Sequence, residues 1–136
     1  MTPPQVVYDS GALIAVERGS ADMRYLHTHW RAAGVRPLVP GPVLAQVWRG
    51  GPRQYRLAEF MKQCRVFLDF KEEDYQRAGW MLGQADLPSK KRPDAVDALV
   101  VVTAVLHRTD VIVTSDPEDI TAYGTALGRK LDLVRV

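Results

Sequence analysis

The sequence predicts an α/β fold built on a mostly parallel sheet covered on both faces. Two observations carry this. Short β-branched segments alternate with longer segments of helical period along the whole chain, and that alternation is the signature of strand–helix–strand units. The strands also read as continuous apolar runs, such as QVVY at 5–8 and VIVT at 111–114. Strands buried on both faces have that composition, whereas half-exposed strands alternate.

The elements follow in order. Gln5–Tyr8 is a buried strand that ends at Asp9-Ser10, and GALIAVER continues as a helix behind a capping side chain. From Ser20 to Ala33 the spacing is helical, with Met23, Leu26 and Trp30 on one face and Gly34 as the stop. Arg36–Val39 is a second strand. Gly41-Pro42 opens a helix with Pro in its first turn, and Gly50-Gly51 stops it after VLAQVWR. Gln54–Cys64 is an amphipathic helix turning Leu57, Phe60 and Met61 inward, and Val66–Phe70 is a strand. Glu72–Gln84 is a helix with an acidic first turn, as its dipole favours. Ala85–Pro93 is a polar loop. Asp94 caps a helix running through His107, Val111–Thr114 is a strand, Asp116-Pro117 starts a helix, and Asp132–Val136 closes the sheet.

With 136 residues, 46% of them hydrophobic and 25% charged, residues 1–136 fit one globular domain able to bury a core without disulfides or structural zinc. The single cysteine, Cys64, has no partner in the chain and suits a reducing cytosol as a small core residue. The longest apolar run, Ala98 to Leu106, has the length of a buried helix and not of a membrane span. MTPPQVVYDS lacks the basic start and apolar core of a signal peptide, so a cytoplasmic protein without a membrane is expected. The net charge of +2 is unevenly spread: nine basic and four acidic residues up to Arg65, then nine basic and twelve acidic residues. Carboxylates for a cation and Arg or Lys for phosphate are what a metal nuclease needs; scattered solvated charge gives the same totals.

The aspartates fall where chemistry is usual in such folds. Asp9 directly follows the first strand, and Asp116 comes two residues after VIVT. Open α/β sheets place their crevice outside the carboxyl ends of the strands, so both carboxylates project into one crevice. Asp94 and Asp97, three apart at a helix start, share a face; if that helix end points at the crevice, Asp97 joins them. Hard oxygen ligands grouped this way suit Mg²⁺ or Mn²⁺. Each position also has a structural reading. Asp9, Asp94 and Asp116 are good N-caps, the last with Pro117 behind it and Asp119 completing a capping-box-like pair. Asp97 precedes the apolar run ALVVV, where a carboxylate has little structural reason to be.

Taken together, VVYDSGALIAVERG, VPGPVLAQVWRGGPRQ, PDAVDALVVVTA and VIVTSDPEDI resemble, in order and spacing, the PIN-domain nucleases, and among them the VapC-type toxins of toxin–antitoxin pairs. The resemblance spans essentially the whole chain. It implies a PIN-like three-layer α/β/α fold, a Mg²⁺-dependent ribonuclease hydrolysing RNA phosphodiester bonds, pairing of the chain with itself, and silencing by a small cognate antitoxin. By position, the family's first aspartate falls on Asp9, the helix-borne one on Asp97 with Asp94 beside it, and the strand-end one on Asp116 with Asp119 close by. Many relatives carry a glutamate where this chain has Gln46, and an amide offers an oxygen without a charge. Either the site works with one carboxylate fewer, or Asp94 or Asp119 supplies the charge, or catalysis is weak. One tightly held ion then fits better than two.

Ser10 and Ser115 can orient ligands or substrate, or bond to turn backbone. Arg49, Arg53 and Arg56, and the run Lys90, Lys91 and Arg92, suit RNA phosphates, an acidic antitoxin tail, or plain solvent. His27, His29 and His107 form no ligand set, and Trp30, Trp48 and Trp80 read as core or dimer contacts. An aspartyl-phosphate enzyme wants a Lys after a later strand, and Ser and Asp follow VIVT instead. A catalytically weak or inactive PIN-like module that binds RNA or protein is the remaining alternative, with Gln46 as its best support.

Overall fold

The computed structural model of the chain describes residues 4–87 and 92–136. Its elements are β1 (Val7–Tyr8), α1 (Ser10–Glu17), α2 (Ala21–Ala32), β2 (Leu38–Pro40), α3 (Gly41–Val47), a 3-10 turn (Pro52–Gln54), α4 (Tyr55–Met61), β3 (Arg65–Phe67), α5 (Glu72–Gln84), α6 (Ala95–Leu106), β4 (Val111–Thr114), α7 (Pro117–Ala126) and β5 (Asp132–Arg135). The strands form one sheet in the order β3-β2-β1-β4-β5, and every pair in it is parallel. Around the sheet, α1 packs on α2 and α4, while α5, α6 and α7 pack on one another, completing three α/β/α layers.

The centre is dry, as the apolar runs require. Val6, Val7 and Tyr8 of the first strand segment and Ile112 and Val113 of β4 have no exposed surface. In α6 every residue from Ala98 to Ala104 is buried, and Thr103 satisfies its hydroxyl by donating to the Leu99 carbonyl at 2.8 Å. His27, buried on α2, accepts from the Tyr8 hydroxyl at Nδ1 (2.9 Å) and donates from Nε2 to Gln63 (2.8 Å). Burial holds its pKa below the usual imidazole range, so it is a neutral core group. Cys64 is buried as expected. Among the described residues no helix is long and apolar enough to cross a membrane.

Differences from the sequence-based expectations cluster after α3. That helix stops at Val47, with Trp48 already extended (ψ 129°), and Gly50 and Gly51 follow at φ 77° and 87°. The reason is Gln54, whose side chain turns inward and replaces the bonds a longer helix would have made. Its Oε1 accepts from the Arg49 and Gly50 N–H groups (2.7 and 2.8 Å), and its Nε2 donates to the Val47 carbonyl (2.9 Å). The next helix therefore begins at Tyr55. The third strand ends at Phe67, three residues early, because its one partner, β2, ends at Pro40 opposite it. Trp30 packs against the core, but Trp48 and Trp80 are 42% and 53% exposed and belong to no core.

Candidate metal centre

The sheet order reverses between β1 and β4, which are neighbours in space, and open α/β sheets bind ligands at such a switch point. Asp9 leaves the end of β1, and Ser115 and Asp116 leave the end of β4. The two ends are tied together. Asp9 N–H donates to the Val113 carbonyl (3.1 Å), and the buried Thr114 hydroxyl hydrogen-bonds the Asp9 carboxylate while accepting from the Asp116 N–H (2.9 Å). The first turn of α1 crosses so close to this corner that a Cβ on Gly11 would stand 2.1 Å from Ser115 Oγ and 2.8 Å from Ser115 N. Only glycine permits that approach.

The third contribution is the start of α6. Asp94 caps it, accepting from Val96 N (2.8 Å) and Asp97 N (3.3 Å), and the Asp94 N–H donates to the Tyr123 hydroxyl of α7 (2.9 Å). Asp97 follows within the first turn. Asp9, Asp94, Asp97 and Asp116 thus line one crevice of about 480 Å³, together with Ser10, Gln46, Arg49 and Ser115. Capping and crevice placement turn out to be compatible: Asp9 caps α1 through Ala12 N (3.2 Å) and still lines the crevice. Asp116 stands at the N-cap of α7 without a side-chain cap bond, so the capping-box pairing with Asp119 does not form. Asp119 is buried in the same helix, outside the crevice lining, and acts on Asp97 through its charge.

Electrostatics mark two of these carboxyls. Burial, with Asp116 adding a smaller push, raises Asp9 to about 6 despite its hydrogen bonds. Burial and then the negative charges of Asp94, Asp9, Asp116 and Asp119 raise Asp97 to about 7. Close carboxylates that repel one another are costly without a counter-charge, and a cation is the natural one. The donors fit a hard dication: carboxylates, two amides and hydroxyls line the crevice, with neither His nor Cys. Among the described residues no group of three His, Cys, Asp or Glu side chains is set to hold an ion unaided. That is compatible with Mg²⁺, which binds through one or two carboxylates and keeps several waters.

Gln46 faces this site, with its Oε1 accepting from the Ser10 hydroxyl. Arg49 lines the crevice; Arg53 and Arg92 are exposed outside it, and Arg56, also outside the lining, donates to the Glu17 carbonyl (3.2 Å). Lys90 and Lys91 lie outside the described residues. Sequence reasoning missed Glu17 and Gln54 in the crevice lining, joined by Nε2 to Oε1 at 3.4 Å, and missed Thr114 and Tyr123 behind it. Glu17 had a usable signal, since it lies two helical turns from Asp9; Gln54 had none.

No protein-family model matches the chain, and no curated protein matches it. Among solved structures, the crystal structure of VapBC2 from Rickettsia felis bound to a DNA fragment from their promoter contains a chain similar to this one. The TM-score is 0.67 at 14% identity, and the match covers 95% of this chain and 98% of that chain. At that identity the likeness speaks for architecture, and with the parallel five-stranded sheet it establishes that the chain has the PIN-like three-layer α/β/α fold.

Proposed function

We propose that the protein is a Mg²⁺-dependent endoribonuclease, with Mn²⁺ able to substitute, acting as the toxin of a toxin–antitoxin pair. The observation that carries the reading is the convergence of Asp9, Asp94, Asp97 and Asp116 at the switch point of a PIN-like fold. Similarity to a chain of a VapBC structure supports the partner, a small cognate antitoxin; pairing of the toxin chain as a homodimer in the cytoplasm belongs to the same proposal and rests on the sequence resemblance alone.

Asp9, Asp97 and Asp116 would hold the ion between them, one or two directly and the rest through its waters, with Asp94 and Asp119 adding negative potential. When bound, the ion supplies Lewis-acid polarisation of the scissile phosphate and a lower pKa for attacking water. The chain's own residues do the rest. The Thr114 hydroxyl and the α1 N-terminus fix the Asp9 carboxylate, so it is ordered before substrate arrives. Tyr123 pins the start of α6 and with it Asp97. Gln46 and Ser10 hold each other at the rim, and Arg49 presents a cation to the phosphate backbone. Water oxygen bonds to phosphorus, the bond to the leaving sugar oxygen breaks, and that oxygen takes a proton.

The test is RNA cleavage by the purified, antitoxin-free protein. Chelation should abolish it and Mg²⁺ should restore it, while Asp9→Ala and Asp97→Ala should each lose several orders of magnitude with folding intact. Near-wild-type cleavage by either variant would refute the site. Expression alone should slow bacterial growth, and Asp97→Asn should relieve this at equal protein level. The second reading, a catalytically weak module that binds RNA or protein, draws on Gln46. It stands if RNA is bound and no divalent ion produces cleavage.

A further inference from the structure

We infer that the end of the crevice remote from the aspartates is a base-binding subsite that selects guanine, with Glu17 as its specificity-determining residue. This rests on the ribonuclease reading and names the kind of RNA segment that the same site takes. Ser10, Ile14 and Glu17, at i, i+4 and i+7 spacing, lay one face of α1 along the crevice. The other wall is the end of α3 and the loop after it, with Gln46, Arg49 and Gln54. Ser10 pairs with Gln46 at the aspartate end, and Glu17 pairs with Gln54 at the other. Glu17 is the last residue of α1, about 12 Å along the helix from Asp9 at its start, so the two do not share one ion.

A carboxylate on the path of a polyanion repels phosphate, and Arg49 already serves that charge. What Glu17 attracts is a donor, which RNA offers on its base edges and 2′-hydroxyls. The side chain is held ready for one. Gln54, buried at 4% exposure, spends its whole hydrogen-bonding capacity here: Oε1 accepts from the Arg49 and Gly50 N–H groups, and Nε2 donates to the Val47 carbonyl and to Glu17 Oε1 (3.4 Å). Glu17 makes no ion pair among the described residues. Between it and the aspartates lies Ile14, 37% exposed, an apolar patch in a polar crevice on which the flat face of a base can rest. Guanine matches a carboxylate best, because its N1–H and N2–H stand side by side and both oxygens accept from one base. Every other base sets an acceptor beside its donor: N1 by the adenine amino group, N3 by the cytosine one, and two carbonyl oxygens by the uracil N3–H. Those acceptors would face the carboxylate's negative charge.

The test uses the short RNAs UUGUU, UUIUU (inosine lacks the 2-amino group) and UUAUU, with wild type and Glu17→Gln. With Mg²⁺, wild type should cleave UUGUU with a kcat/KM about tenfold above that for UUIUU, and further above that for UUAUU, as a bidentate base contact allows. Glu17→Gln should make the three values alike. Equal values in wild type would overturn the proposal; a contact to the 2′-hydroxyl would give that result. So would a variant that slows all three RNAs alike and keeps their ratios, which would leave Glu17 as an anchor for Gln54. Binding of the same RNAs, labelled and read by anisotropy in the presence of a chelator, separates the subsite from the ribonuclease reading. If wild type cuts none of them but binds UUGUU most tightly, and Glu17→Gln loses that preference, the subsite stands and the nuclease reading falls. If wild type cuts all three equally, the nuclease reading stands and the subsite falls. Equal thermal unfolding of the two proteins verifies that the substitution leaves the fold intact.

Discussion

Replacing Asp97 by Asn should stabilise the metal-free protein while destroying its proposed activity. Asp97 titrates near 7 in place of the ordinary carboxylate range, because burial and four neighbouring aspartates disfavour its charge. At about 1.4 kcal/mol per tenfold change in proton affinity, holding it ionised in the folded state costs at most about 4 kcal/mol. Partial exposure and sharing of the repulsion reduce this, leaving about 1–2 kcal/mol, or roughly 3–8 °C in Tm. The sign follows from proton binding. Between pH 4 and 7 the folded protein holds a proton at Asp97 that the unfolded chain has released, so wild-type stability falls as pH rises through that window and levels above it. Asn carries no charge at any pH. Its advantage should therefore be full at pH 8, shrink through pH 7 to 4, and vanish below. The assay is denaturant unfolding with a chelator across pH 4–9, repeated with saturating Mg²⁺, which should stabilise wild type far more than the variant. An Asn variant no more stable than wild type at pH 8, or an advantage independent of pH, would refute the electrostatic account.

Gln46→Glu adds a charge beside Ser10; Mg²⁺ titration should show about tenfold tighter binding, worth roughly 1.4 kcal/mol, and metal-free unfolding should show lower stability. Gly11→Ala drives a Cβ into Ser115, so it should cost about 1–3 kcal/mol in denaturant unfolding and lower cleavage by moving Asp9 relative to Asp116. Gln54→Leu keeps the volume but strands the Arg49 and Gly50 N–H groups and the Val47 carbonyl; a loss of about 2–4 kcal/mol should appear in unfolding, with weaker RNA binding through Arg49.

What the sequence by itself determined is local. Apolar runs such as QVVY and VIVT need burial on both sides, and caps such as Asp9, Ser20 and Asp94 satisfy helix N–H groups within three residues. The Glu72–Gln84 helix and the Val111–Thr114 strand therefore come out with the bounds that periodicity and turn residues predict. The strand-end aspartates were legible for the same reason, since a parallel sheet leaves its chemistry at one edge. Only tertiary structure decided what depends on residues far apart in the chain. Strand order set Asp9 beside Asp116, and the fold brought Gln54 against Glu17, 37 residues away. Burial amid four other aspartates lifted Asp97 to about 7. Helix propensity and hydrophobic period carry information over a few residues, whereas desolvation and Coulomb repulsion depend on which surfaces the closed fold brings together.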